Sequence, residues 1–457
     1  MINNIVTEMD IQKIVSDFDV FCTYIIDNKP TLTKTNEELG KKDCFAINAL
    51  LSRPKDLNGP KYMQPAYPEI NLFFHLAGKA GLFTVEYTKN DKRLLVPTAK
   101  MEKYRALNFY SKYMLLFRIY WTGLDFNAFY SDSNIQYYLH YIDQIFAVLA
   151  KAEPEAVIAA DIECAGYKID RENPIEIMFY GMGQIVHHLG YFGFWQYVRA
   201  ETKGVYYTVK DIGIKSITPS RFGIAMVNAC LERSFVIYNS SFREKYLIVR
   251  NSFDELIGDR ELTLSRKQGN LKEKRCIFKP KGGPVNRPEG EVFEKAFAGI
   301  FPPGAIDAEA IAGVLRREER QAAGNTYIFK VSLGKNIWRR IKLSSSHTLH
   351  QLHEAIQDAF GFFDDHLYAF FMDGKAWSKD AYQDPRGNEP PYADEAEIGK
   401  IGLALWKHFL YMYDYGYEWR FDVRLEEILD SPTPPNGAAV IEVYGESPSQ
   451  YPDWDDE

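Results

Sequence analysis

The sequence predicts a multidomain α+β protein, with a helical, winged-helix-like N-terminal half and a compact C-terminal α+β module on a hairpin-helix-strand, β-grasp-like core. Three observations carry that expectation. The chain has 457 residues, more than a single hydrophobic core normally serves. Its 46% hydrophobic and 25% charged residues are those of an ordinary globular protein. The apolar spacing also changes along the chain, from helical in the first half to alternating in the last quarter.

The first element is a helix from Asp10 to Asn28, with Ile11, Ile14, Phe18, Phe21 and Ile25 at helical spacing and Pro30 beyond its end. A second helix holds Phe45, Leu50 and Leu51. A third runs from Glu69 to Ala80 behind Pro68, with Gly81 as its C-cap. Phe83 to Tyr87 and Arg93 to Val96 read as two strands joined by a turn at Lys89-Asn90-Asp91. Helices followed by a hairpin are the order of a winged helix. Residues 131 to 200 read as helical and aromatic-rich, Gly204 to Val209 as a strand. Thr218 and Pro219 are expected to open a further helix, giving a second, possibly winged-helix segment. Arg266 to Lys281, with seven Lys/Arg against one Glu, has linker composition. Helices are expected around Glu291 to Ala298 and Ala308 to Ala323.

The last quarter is the most informative. Tyr327, Phe329, Val331 and Leu333 alternate with Ile328, Lys330 and Ser332, Gly334-Lys335-Asn336 turns the chain, and Trp338 to Leu343 returns it. Thr348 and Gln351 have capping-box spacing ahead of the apolar face Leu349, Leu352, Ile356, Ala359 and Phe360, and Gly361 closes that helix. His366 to Phe371 reads as a strand. A second hairpin has arms Phe409 to Tyr415 and Glu418 to Leu425. The expected domains are 1–130, 131–265, a basic linker with connecting helices at 266–324, and 325–457.

Composition limits the function classes. The N-terminus lacks the basic start and apolar stretch of a signal peptide, and the most membrane-like run, Tyr113 to Leu124, is too short to span a bilayer. A cytoplasmic protein with no membrane partner is expected. The five cysteines form no C-x-x-C pair and read as free buried thiols, not a zinc or disulfide framework. The net charge of −8 argues against indiscriminate nucleic-acid binding. Locally the balance differs: ten Lys/Arg face five acids between Phe45 and Leu107, whereas Leu425 to the end carries nine acids and no Lys or Arg. No P-loop, H-E-x-x-H, G-x-S-x-G or EF-hand pattern occurs, and Gly181-Met182-Gly183 lacks the third glycine of a dinucleotide fingerprint.

Several residues in order carry a family resemblance. They are Tyr327 and Phe329, Trp338-Arg339, Thr348-Leu349 with Leu352-His353, Asp365-His366-Leu367, and Tyr413-Asp414 with Gly416 and Trp419. With the closing S-P-S-Q-Y-P-D-W-D-D, the stretch from Thr326 onward resembles the plasmid pRiA4b Orf3-like family. Residues 1 to about 300 resemble the N-terminal part of longer members, some of them insertion-element passenger proteins of TnpR type. The resemblance implies a plasmid- or mobile-element-associated protein and fixes no chemistry. The chain departs from the family at Tyr417, where a second acid commonly follows the glycine; a carboxylate pair holding a metal there would lack one ligand.

Five of nine histidines lie between His347 and His408. His350 and His353, three apart on a helix, with His366 and Asp414, are the weak metal candidates. The plainer expectation makes His353 a hydrogen-bonded core histidine and Asp414 a turn residue. Arg339 and Arg340 are candidate anion ligands, and Trp419 completes the candidate C-terminal site. In the N-terminal half, Lys61, Lys79, Lys89, Lys92, Arg93 and Lys100 are candidate phosphate contacts. The expected function is a non-catalytic DNA- or protein-binding protein without a cofactor. The alternative is a metal-dependent or other enzyme with its site around His353, His366 and Asp414.

Overall fold

The computed structural model describes residues 6–130, 135–159, 173–200, 213–243, 292–316, 324–430 and 438–451. It is a mixed α+β structure of two units: Met1–Thr84 with Val96–Arg316, and Val85–Leu95 with Arg317–Glu457.

In the first unit the helical periodicity reads true. Helix α1 (Glu8–Asn28) buries Ile11, Ile14, Phe18, Phe21 and Ile25, and Lys29 caps it in the left-handed conformation. Helix α2 is Lys41–Leu50, and α3 (Pro68–Ala80) starts on Pro68 and stops at Gly81, whose φ of 70° favours glycine. Strands β1 (Phe83–Tyr87) and β2 (Arg93–Pro97) pair as expected, although most of this hairpin, Val85–Leu95, belongs to the second unit. After α4 (Lys100–Arg105) comes α5 (Phe109–Gly123), the membrane-like run, which is a core helix with Tyr113, Phe117, Tyr120 and Trp121 buried. No helix among the described residues is long and apolar enough to cross a membrane.

Both sides of the expected 130/131 division lie in this unit. Trp121 donates to the Arg233 carbonyl at 2.6 Å and packs against Phe146 and Phe235, tying α5 to α7 (Ile142–Leu149) and α11 (Phe235–Tyr238). Residues 131 to 200 are less uniformly helical than expected. Helices α6 (Ile135–Leu139), α8 (Pro174–Gly181) and α9 (Gly183–Tyr191) are present, but β3 (Ile158–Ala159), β4 (Trp195–Arg199) and β5 (Ile214–Pro219) form an antiparallel sheet in the order β3-β5-β4.

The helix expected to open on Thr218 and Pro219 begins later. Pro219 ends β5 opposite Trp195, and Ser220 is the N-cap of α10 (Arg221–Glu232), accepting from the Gly223 amide at 2.8 Å. Gly223 sits so close to β4 that a Cβ there would meet the Phe194 carbonyl oxygen at 1.6 Å. The Glu291 to Ala298 helix is a 3-10 turn, Phe293–Phe297, and α12 spans Ala308–Leu315. The expected strand at 204–209, the basic linker at 266–281, Cys164 and Cys276 lie outside the described residues; Cys22, Cys44 and Cys230 are buried free thiols.

The second unit is built on an antiparallel sheet of seven strands. Their order is β12 (Ala439–Tyr444), β7 (Trp338–Ser344), β6 (Thr326–Ser332), β11 (Trp419–Leu429), β10 (His408–Tyr413), β8 (Tyr368–Phe371) and β9 (Ala381–Gln383). Helix α13 (Leu349–Phe360) covers one face, where Phe329, Val331, Ile341, Leu343, Phe409, Tyr411, Phe421 and Val423 bury with Leu349, Leu352, Ile356 and Phe360. The hairpin-helix-strand order is present, but the sheet departs from a compact β-grasp. Strands β11 and β10 stand between β6 and β8, because the second hairpin inserts its long arm beside β6.

The capping box is formed: the Thr348 hydroxyl accepts from the Gln351 amide at 3.3 Å, and Gln351 accepts from the Thr348 amide at 3.0 Å. Replacing Thr348 with Ala is expected to cost about 1 kcal/mol in denaturant unfolding. Gln351→Ala should cost less, since the N-cap hydroxyl still accepts from the helix amide of residue 351.

Candidate functional site

The histidines converge on one end of the α13 face. The helical offset that buries Leu349, Leu352 and Ile356 also buries His353, and inward alternation on β8 and β10 delivers Tyr368, Tyr411 and Tyr413. The imidazole of His353 stacks on the Tyr368 ring with centroids 3.8 Å apart and planes 8° from parallel. Its Nδ1 lies 2.6 Å from the Tyr411 hydroxyl, which receives the Gln357 amide at 2.7 Å. Its Nε2 lies 3.3 Å from Asp364 Oδ1. Burial pushes the His353 pKa down to about 4 against the partial opposition of Asp364, so the ring is neutral at pH 7. A neutral ring fits this geometry: Tyr411 donates to Nδ1 and Nε2–H donates to Asp364.

Asp364 is held in turn. Arg386 donates to it at 2.8 Å and grips the buried Asp384 through Nε and NH2 at 3.0 and 2.6 Å. Burial alone would push Asp384 up, but the Arg386 guanidinium holds it below the usual carboxylate range. His350 uses Nδ1 on the Tyr368 hydroxyl at 2.7 Å, and its ring lies roughly parallel to that of His353 at 5.6 Å. The two imidazoles therefore stack instead of converging on an ion. Among the described residues no group of three or more His, Cys, Asp or Glu is placed to hold a metal.

His366 stands apart, roughly half exposed, with Nε2 at 3.6 Å from Asp414 Oδ2. Asp414 is buried, and its Oδ1 accepts from the amides of Gly416 and Tyr417 at 2.9 and 3.3 Å. The positive φ of this turn falls on Asp414 (54°) and Glu418 (51°), not on Gly416. Glu418 is accordingly a turn residue, not part of the strand, and its carboxylate meets Arg420 and, at 3.2 Å, Trp377 Nε1. Asp365 accepts from Tyr413 at 2.8 Å and from Tyr451 at 2.7 Å, and the Tyr451 bond is the chief cause of its lowered pKa.

Arg339 is not an anion ligand. It is buried, donating to the carbonyls of Ala359, Trp338, Tyr444 and Gly445 at 2.9–3.1 Å and to the Ser447 hydroxyl at 2.7 Å, with its guanidinium 4.5 Å from the Phe360 ring centroid. Trp419 is half buried and packs edge-on against Phe362 at 5.0 Å. Of the candidate C-terminal residues, His353 is thus joined to Asp364 and Tyr411, His366 to Asp414, and Arg339 and Trp419 are structural.

In the N-terminal half Lys61, Lys79, Lys89 and Lys92 are exposed, while Lys100 and Arg93 are partly buried. Arg93 lies 5.8 Å from the Tyr87 ring centroid, and Lys89 lies 5.1 Å from that of Trp406, a long cation–π contact within the second unit. A second polar cluster went unread in the sequence. Asp17, on the buried face of α1, accepts from the Ser52 amide and hydroxyl at 2.8 and 2.7 Å and from Tyr191. Beside it Glu69 meets His187 Nε2 at 3.2 Å, and His187 Nδ1 meets Tyr197 at 2.6 Å. Burial would raise Glu69, but His187 pulls it down to about 2. Asp17 falls between Ile14 and Phe18 on an apolar face, which was the available signal. His187 and His188 are both buried, with ring centroids 5.8 Å apart and planes tilted by 57°.

Residues 325–450 match the family model of plasmid pRiA4b ORF-3-like protein. A solved protein of unknown function from Methanosarcina mazei Go1 is 28% identical over 26% of this chain and 67% of its own, with a TM-score of 0.22. No curated protein matches. The family match thus lies in the C-terminal domain. The resemblance of the N-terminal part to TnpR-type passenger proteins gains no support from these comparisons.

Proposed function

We propose that this is a non-catalytic, plasmid- or mobile-element-associated binding protein. Its N-terminal half engages duplex DNA through a winged-helix-like element, and its C-terminal domain serves binding, not turnover. The observation that carries the reading is the β1–β2 turn, early in the sequence but part of the second unit, where Lys89 and Lys92 are exposed and form no ion pair among the described residues. Cations left without counter-ions on a hairpin following a helix suit phosphate contact. The inward-turned histidine cluster supports the second half: both ring nitrogens of His353 face groups of the protein itself.

The test is a salt titration of duplex binding. Affinity should fall steeply as salt rises, and Lys89→Ala with Lys92→Ala should weaken binding to all sequences alike and flatten the salt slope by about two. Binding indifferent to salt and to both changes would remove the DNA reading and leave a protein partner for the same surface.

One observation favours the enzyme reading. Asp414 Oδ2 is buried without a hydrogen-bond partner among the described residues, and a half-exposed imidazole faces it at 3.6 Å. A divalent ion that raised the melting temperature of the wild type but not of His366→Ala would establish that reading in its metal-dependent form.

A further inference from the structure

The face of the seven-stranded sheet away from α13 carries a groove of 380 Å³, into which Lys330, Lys335, Arg420 and Arg424 bring four cationic side chains against the single carboxylate of Asp422. Strand register sets this up. Lys330 on β6 lies opposite Arg424 on β11 and Arg340 on β7, and Arg424 lies opposite His408 on β10. Like charges directly opposite one another oppose sheet pairing, so such a row needs counter-ions. Arg340 has Glu426, Glu427 and Glu442, Arg424 has Glu426, Arg420 has Glu418, and Asp422 is engaged with His408 at 2.9 Å. Lys330 and Lys335 have no carboxylate partner among the described residues. Lys330 Nζ is nevertheless fixed in place, 4.3 Å from the centroid of the Trp338 ring, which stacks on Tyr444 at 5.4 Å. A positioned ammonium, an exposed lysine on the β6–β7 turn and the Ser332 hydroxyl then line a concavity of small-ligand size.

We propose that this groove binds a compact phosphoryl anion, with Lys330 and Lys335 as its principal charge contacts, Ser332 as a hydroxyl donor, and Arg420 and Arg424 supplying the surrounding positive field. The ligand supplies the direct counter-charge that Lys330 and Lys335 lack, their arginine neighbours being paired with glutamates. This goes beyond the function proposed above and rests on different residues from the β1–β2 turn.

The experiment is calorimetric titration of the full-length protein with inorganic tripolyphosphate at low ionic strength, and in parallel with a nucleoside triphosphate. Saturable binding at one equivalent is expected. Lys330→Ala and Lys335→Gln should each weaken it about tenfold, the loss of one charge-assisted contact, while Lys379→Ala, at an exposed lysine outside the groove, leaves it unchanged. Equal affinity for the two probes assigns recognition to the phosphates alone; tighter nucleoside triphosphate binding adds a ring contact to the same site. Lys335 is exposed on a turn, so its variant decides the matter even if Lys330→Ala lowers the melting temperature. No saturable binding, or equal loss in Lys379→Ala and Lys335→Gln, overturns the proposal.

Discussion

Replacing Arg339 with Met should lower the stability of the C-terminal domain by about 3–5 kcal/mol, the largest effect expected of any single change described above. Its guanidinium is the common donor to three pieces of chain: the last turn of α13 through Ala359, its own strand through Trp338, and the end of β12 through Tyr444, Gly445 and Ser447. No carboxylate meets it among the described residues, so the buried charge is balanced by carbonyl dipoles, and burial lowers its pKa. Met retains the aliphatic stem but removes the guanidinium, both its donors and its contact over Phe360, leaving buried carbonyls without partners. Arg339→Lys should recover little, since one ammonium cannot span the positions a planar fork reaches. Arg340→Ala, which removes a residue bridged to three partly exposed glutamates, should cost about 1 kcal/mol or less. Denaturant unfolding that ranks the two arginines the other way would show that Arg339 is not what holds α13 and β12 together.

How far the sequence foretold this structure depends on whether the signal was local. The Thr348 capping box, the Gly81 and Gly361 stops and the two C-terminal hairpins lie within a few residues of their causes, and they formed, the second hairpin with a longer turn between Tyr413 and Trp419 than was read. Strand β12 was missed because Val440, Ile441, Val443 and Tyr444 are all exposed on an edge, which erases the alternation that betrays a strand. Pairing of β11 with β6 was equally illegible, since no local pattern records which strand inserts beside which. Arg339 is more instructive. It alternates in phase with Ile341 and Leu343, so the pattern itself placed it on the core face, yet charge chemistry suggested a ligand. The positions that carry the family resemblance prove largely architectural: Thr348 caps, Arg339 staples, Asp414 turns the chain and Trp419 packs. The cluster of Asp17, Glu69, His187 and Tyr191 draws on distant segments, and only the odd position of Asp17 on an apolar face announced it.

His353 provides the second large effect. Replacing it with Ala should cost about 2–4 kcal/mol, because the change removes a ring stacked on Tyr368 and leaves the Tyr411 hydroxyl and Asp364 without their partner. The pH dependence gives this a distinct signature. In the unfolded chain the imidazole binds its proton near the ordinary 6.5, whereas in the fold burial delays protonation to about 4. Between those values the unfolded state holds more protons, so the contribution of His353 is fully present above pH 6.5 and falls away as pH drops towards 4, by roughly 2–3 kcal/mol in total. His75, partly buried in the first unit and also pushed down to about 4 by desolvation, adds its own loss in the same window. The His353 share is therefore read as the difference between wild type and His353→Gln, whose acid limb should be shallower by that amount. Chelators should leave the wild-type melting temperature unchanged, since both ring nitrogens already face protein groups. A chelator-sensitive melting temperature that becomes insensitive in His353→Ala would mean that the imidazole turns from Tyr411 or Asp364 to an ion, and would move the search for chemistry to this end of α13.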